Sequence, residues 1–194
     1  MRRAAIERTT AETRISLELC LEGGEARIAT GLGFFDHMLQ QLARHGGMGL
    51  LLEAKGDLHV DSHHLVEDVG LCLGEALWEA LGDRAGIARW GEALVPMDET
   101  LARVVVDLSG RPYCVFQAEL PSVVLGDGFQ SEMAREFFHA LASRGRFNLH
   151  AAVLYGENAH HKLEALFKGL ARALRTAVRR EGDAVPSTKG TLTA

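Results

Sequence analysis

Two copies of one short phrase carry the chemistry this chain could do: His63-His64-Leu65-Val66-Glu67 and His160-His161-Lys162-Leu163-Glu164. Each is a His-His-x-x-Glu at the head of a run with helical spacing, Asp68 to Leu81 in the first case and Ala165 to Arg180 in the second. Residues four apart share a helix face, so His63 with Glu67, and His160 with Glu164, are spaced to hold one metal ion each. The other histidine of each pair is turned by about 100° around the helix and reaches towards a second ion. Two such phrases facing each other make a two-metal site, each ion taking a His and a Glu from one copy and a His from the other. A single phrase would read as well as a solvated helix start. Two in matching context point to metal chemistry.

The phrases belong to a longer internal repeat. Setting Asp61 against Asn158 aligns His63 with His160, Glu67 with Glu164, Leu73 with Leu170 and Leu77 with Leu174. Upstream, Asp36-His37-Met38-Leu39 corresponds to Arg135-Glu136-Phe137-Phe138. This is a duplication of one unit, not a solenoid of many short periods. The division falls into residues 1–94 and 95–194, together one functional unit.

The elements that must position these residues follow from periodicity. Ile15, Leu17, Leu19 and Leu21 alternate with polar residues before Glu22-Gly23-Gly24-Glu25, which predicts a hairpin. Phe34 to Arg44 has helical spacing and stops at Gly46-Gly47. Leu50 to Ala54 is a strand, followed by a second short strand to Val60. The first His-rich helix runs to Gly82. Leu101 to Leu108 and Tyr113 to Ala118 flank Ser109-Gly110-Arg111-Pro112 as a second hairpin. Gln130 to Arg144 is a helix, Phe147 to Tyr155 a strand, and Ala159 to Arg180 the last helix. Helices with hairpins predict an α+β fold with mostly antiparallel sheets. The tail from Gly182 is polar and reads as a disordered end.

Composition narrows the class. The 194 residues are 47% hydrophobic and 24% charged, with a formal net charge of −5, so a general nucleic-acid binder is not indicated. Three widely spaced cysteines, Cys20, Cys72 and Cys114, make neither a disulfide framework nor a zinc knuckle. No apolar leader or membrane-length stretch is present, and the expected location is the cytoplasm.

Further phrases complete the pattern: Arg8-x-Thr10-x-Glu12-Thr13, Phe35-Asp36-His37-Met38-Leu39, Pro96-Met97-Asp98-Glu99, Asp107-Leu108-Ser109-Gly110-Arg111-Pro112 and Ser187-Thr188-Lys189-Gly190. With the two His-rich phrases in order among them, the chain resembles the imidazoleglycerol-phosphate dehydratase family of histidine biosynthesis over nearly its whole length. The resemblance implies a two-half fold similar to the GHMP-kinase-like architecture, and a monofunctional enzyme in a homo-oligomeric shell of twenty-four subunits with sites at subunit contacts. It also implies two Mn²⁺ per site. The reaction implied is loss of water from imidazole glycerol phosphate to give imidazole acetol phosphate. Metal bound at the imidazole nitrogens favours the imidazolate, whose ring electrons expel hydroxide.

Carried over position by position, the resemblance assigns His37, His63, Glu67 and His161 to one ion, and His64, His160, Glu164 and residue 136 to the other. Many family members have His at the last position, whereas this chain has Glu136, an oxygen donor that Mn²⁺ accepts. His139, one turn on, is the other candidate and reads by itself as a surface residue. Glu12 matches an active-site glutamate and is the expected general base or acid. Arg89, Arg111, Lys168, Ser187 and Lys189 match the phosphate contacts, with Gln41 and His45 nearby. Lys168, four residues after Glu164, falls on the metal-binding face of its helix. A di-metal hydrolase acting on a small phosphorylated substrate is the alternative reading of the same ligands.

Overall fold

The computed structural model describes residues 1–192; the last two residues of the polar tail, Thr193 and Ala194, lie outside the described part. The first half contains β1 (Arg3–Thr9), β2 (Thr13–Cys20), β3 (Ala26–Ala29), α1 (Gly33–Gly46), β4 (Gly49–Gly56) and α2 (His63–Leu81). The second contains β5 (Trp90–Met97), β6 (Thr100–Asp107), β7 (Tyr113–Gln117), a small ribbon of β8 (Val124–Leu125) and β9 (Phe129–Gln130), α3 (Met133–Gly145), β10 (Asn148–Tyr155) and α4 (Ala159–Ala177). Strand order is β1-β2-β4-β3 in one sheet and β5-β6-β10-β7 in the other, so the same topology occurs twice. In each sheet one pairing is parallel, β3 with β4 and β7 with β10, and the others are antiparallel. The fold is α+β, with two mostly antiparallel sheets each packed by helices. Residue 94 lies within β5, the strand that opens the second copy.

The pairing corrects both predicted hairpins. The turn at Glu22–Glu25 does not fold β3 back on β2, because β4 takes the place between them. Likewise β10 separates β6 from β7 across Ser109–Pro112. The hairpins are elsewhere. β1 pairs with β2, and β5 turns into β6 through Asp98-Glu99, with Asp98 in the left-handed region at φ 47°. The predicted strand to Val60 is a turn, closed by the Val60 amide donating to the Asp57 carbonyl at 2.7 Å. The α3 helix begins at Met133 rather than Gln130, and α4 ends at Ala177 rather than Arg180.

Alternation drives the sheets onto the helices. In β2, Thr13, Ile15, Leu17 and Leu19 are buried while Arg14, Ser16 and Glu18 face water. The α2 helix packs on β1 and β2 and against α3; α4 packs on β5 and β6 and against α1. The helices thus lie between the sheets, and each half's first helix meets the other half's His-motif helix. Glycines permit the close approach at these crossings. A Cβ on Gly74 of α2 would stand 2.5 Å from the Leu141 carbonyl oxygen of α3. One on Gly91 of β5 would stand 2.0 Å from the Ala173 carbonyl oxygen of α4. Phe35, Phe129, Phe137, Phe138 and Phe167 fill the joint centre, all fully buried.

The tail is not the disordered end that its composition predicts. The Gly86 amide donates to the Ala184 carbonyl at 2.9 Å, Arg89 donates to the Pro186 carbonyl at 2.8 Å, and Leu192 is buried. Among the described residues no helix is long and apolar enough to cross a membrane.

Candidate metal centre

Both motif helices start where the sequence places them, and each start is capped from outside. The Asp61 carboxylate accepts from the His63 amide at 2.8 Å. The Asn158 side chain accepts from the His160 and His161 amides at 2.9 and 3.2 Å. These are the aligned positions of the repeat, so cap and motif were duplicated together. Asp68, next to Glu67, is buried and ties α2 to the first hairpin. It accepts from Thr13 at 2.5 Å and pairs with Arg8 at 2.8 Å.

Across α1 and α4 two ladders face each other. His37, Gln41 and His45 follow at four-residue steps on α1; His160, Glu164 and Lys168 do so on α4. His160 Nε2 lies 2.9 Å from Glu164 Oε2, and His37 Nε2 lies 3.4 Å from the same oxygen. Lys168 Nζ holds the other oxygen at 2.6 Å. On α1, His45 Nε2 lies 2.8 Å from Gln41 Oε1, and Gln41 Nε2 lies 3.3 Å from His37 Nε2. Among the described residues, the three donors of His37, His160 and Glu164 form the one group of His, Cys, Asp or Glu whose ligand atoms all lie within 4.8 Å. Two imidazoles and a carboxylate are a donor set suited to Mn²⁺, Fe²⁺ or Zn²⁺, and the residues fit such an ion.

This corrects the expected partition of ligands. His37 stands with His160 and Glu164, not with His63 and Glu67. The physical reason is the swap of helices: α1 packs on α4 and α3 packs on α2, so each upstream helix serves the motif of the other half. Glu136 occupies the α3 position equivalent to His37, half-buried in the first turn of a helix packed on α2. His139 is exposed on the same helix. In α2, His63 Nε2 and Glu67 Oε2 are 3.8 Å apart and both open to solvent.

The remaining histidine of each motif points elsewhere and meets carboxylates. His64 Nδ1 lies 3.0 Å from Asp57 Oδ2, and its Nε2 lies 3.8 Å from Glu12 Oε1. His161 Nδ1 lies 2.7 Å from Glu99 Oε2, and its Nε2 lies 3.5 Å from Asp98 Oδ2. Glu12 sits in the β1–β2 turn and Asp98-Glu99 in the β5–β6 turn, so the repeat brings a hairpin carboxylate to each histidine. Sequence reasoning missed Asp57 and the role of Glu99. The signal available was an acid in the turn before one motif and in the Pro-Met-Asp-Glu phrase.

Charge follows geometry. The Asp57 hydrogen bond raises the His64 pKa, and the Glu99 hydrogen bond raises that of His161. Glu99 is pushed far below the usual carboxylate range by the Asn158 amide, then by His161 and the Glu157 amide. Burial works against the ionised form of Glu164, but the hydrogen bonds from Lys168 and His160 outweigh it, leaving its pKa lowered. His45 is held below its ordinary value by burial first, then by the charges of Lys168 and Arg44.

The expected phosphate contacts fall in several places. Lys168 lies in the ladder. Arg89 pairs with Asp107 at 2.6 Å and lies 4.1 Å over the Trp90 ring. Its bond to Pro186 anchors the segment bearing Ser187, whose hydroxyl accepts from the Lys189 amide at 3.2 Å. Arg111 is exposed in the β6–β7 connection.

The sequence and the fold both have counterparts among known proteins. The family model described as "Imidazoleglycerol-phosphate dehydratase" matches residues 30–174. Curated relatives carrying that name include one from Anaeromyxobacter sp. (strain K), 58% identical over 98% of this chain and 92% of its own length. Another, from Lacticaseibacillus casei (strain BL23), is 58% identical over 99% of this chain and 100% of its own. Among solved structures, imidazoleglycerol-phosphate dehydratase from Staphylococcus aureus subsp. aureus N315 superposes with a TM-score of 0.83 at 38% identity, covering 92% of this chain and 99% of that one. The protein from Pyrococcus furiosus in complex with (S)-C348 gives 0.82 at 41% identity, covering 96% and 99%.

Proposed function

The chain belongs to the imidazoleglycerol-phosphate dehydratase family, whose members are carbon–oxygen lyases, and on that premise we propose that it converts imidazole glycerol phosphate to imidazole acetol phosphate and water in cytoplasmic histidine biosynthesis. The observation that carries the reading is the convergence of His37, His160 and Glu164 from two helices on one point, with Lys168 beside it.

In this proposal His37, His160 and Glu164 hold one Mn²⁺, and His63, Glu67 and Glu136 hold a second. His64 and His161, turned away from the donors on their own helices, complete the ions of a neighbouring copy in a homo-oligomeric shell. Such ions would supply the Lewis acidity that favours the imidazolate form of the substrate. The chain's own groups do the rest. Glu12, more than half exposed beside His64, takes the carbon-bound proton. Lys168, Arg89, Arg111, Ser187 and Lys189 hold the phosphate. Gln41 and His45 line the same helix face as His37 and orient the chain of the substrate.

The test is conversion of imidazole glycerol phosphate by purified protein, followed by NMR. Stoichiometric imidazole acetol phosphate is the expected product; release of inorganic phosphate instead would replace this reading with a hydrolase.

Two outcomes follow from the assignment. Lys189→Ala removes a charge-assisted hydrogen bond and should raise KM roughly 10- to 100-fold, with metal content and particle size unchanged. An unaltered KM would remove the tail from the site. Glu136→Ala should lose metal and rate together, while Glu136→His keeps both by restoring an imidazole donor. Two ions per subunit and a wild-type rate in the Ala variant would leave Glu136 as a helix-start carboxylate that suits the dipole.

A further inference from the structure

In each half of the molecule, the second histidine of the His-His-x-x-Glu motif is gripped at Nδ1 by a carboxylate. His64 faces both oxygens of Asp57, at 3.0 and 3.2 Å, and His161 faces Glu99 Oε2 at 2.7 Å. An ionised carboxylate only accepts, so a neutral ring in either place carries its proton on Nδ1 and leaves the Nε2 lone pair bare. We propose that Asp57 and Glu99 are positioning residues for metal, fixing the tautomer and ring direction of His64 and His161 so that each offers Nε2 to a divalent cation. A carboxylate beside each free nitrogen, Glu12 in one case and Asp98 in the other, gives the approaching cation a favourable field. The inference rests on the reading of His64 and His161 as ligands.

The two carboxylates differ in a way that makes the idea testable. Glu99 Oε1 is committed: it accepts from the Glu157 amide at 3.0 Å, the Asn158 amide at 2.9 Å and the Thr100 hydroxyl at 2.9 Å. In Glu99→Gln, those donors keep the amide oxygen, so the amide NH₂ must face His161 Nδ1. That forces the proton onto Nε2 and blocks the metal nitrogen. The side chain of Asp57 faces His64 with both oxygens, so in Asp57→Asn the amide can turn and still present its oxygen to Nδ1.

The experiment titrates Mn²⁺ into metal-free protein, reads free Mn²⁺ by electron paramagnetic resonance, and follows melting and particle size in parallel. Glu99→Gln should weaken Mn²⁺ binding roughly 10- to 100-fold with assembly and melting unchanged, and Asp57→Ala should do the same. Asp57→Asn should restore near-wild-type affinity. Wild-type affinity in either Glu99→Gln or Asp57→Ala overturns the positioning role. His161→Ala separates the two levels: if it binds Mn²⁺ as wild type, the ligand reading itself fails, whereas loss in His161→Ala with none in Glu99→Gln rejects only the positioning role.

Discussion

Glu164→Ala should abolish turnover and weaken Mn²⁺ binding at its cluster by about two orders of magnitude or more, since even outer-sphere losses cost 10- to 100-fold. The argument is geometric. One Glu164 oxygen is the common neighbour of His37 and His160, and the other is the acceptor of Lys168. Removing the carboxylate leaves three donors or cations facing one another with no negative charge between them. Glu164→Gln keeps the shape of this buried side chain and removes only the charge, so it should assemble normally yet bind metal poorly. Metal analysis and turnover of both variants check this. Full metal content in Glu164→Gln would show that the charge is not what holds the ion.

Gly91→Ala should be strongly destabilising. Its Cβ would sit 2.0 Å from the Ala173 carbonyl oxygen and 3.0 Å from the Ala177 amide, backbone atoms of α4 that cannot swing aside. Relief requires β5 to lift off α4, the helix that carries the second His motif. We expect a loss of about 3 kcal/mol, which for a chain of this size lowers the melting temperature by roughly 6–12 °C. Gly182→Ala is the control, because nothing lies within 4 Å of its added Cβ. Calorimetry on the two proteins decides it; equal melting temperatures would contradict the close β5–α4 packing.

The helices were legible because each writes its own period, whereas β1 and β5 went unread and the strand expected up to Val60 is a turn. The α1 helix shows Phe35, Met38, Leu39 and Leu42 on one face and stops at Gly47, whose φ of 66° suits glycine. Strand partners were not legible. Alternation in β2 and β6 says which face is buried but not whether the neighbour is β3 or β4, β7 or β10, and turn-rich spacers suggested the wrong one. The site divides in the same way. Residue type and four-residue spacing exposed both His motifs, and with them the Lys168 position. The grouping of His37 with His160 and Glu164 depends on α1 crossing to α4, a tertiary fact with no local trace. Asp57 and Glu99 sit in turns, where an acid looks like any solvated loop residue. The tail shows the opposite failure: its polar composition hid the Gly86–Ala184 backbone bond and the arginine contact that hold it.

On the proposed assignment two copies of the chain share each site, one giving His37, His160 and Glu164, the other His63, Glu67 and Glu136. Co-expression of Glu164→Ala and Glu67→Ala subunits under two tags, with isolation of mixed particles, tests it directly. Each parent alone should be inactive on imidazole glycerol phosphate. The mixed particles should regain turnover, because some sites then combine an intact Glu164 from one subunit with an intact Glu67 from the other. Mixed particles as inactive as both parents would contradict a site shared between copies.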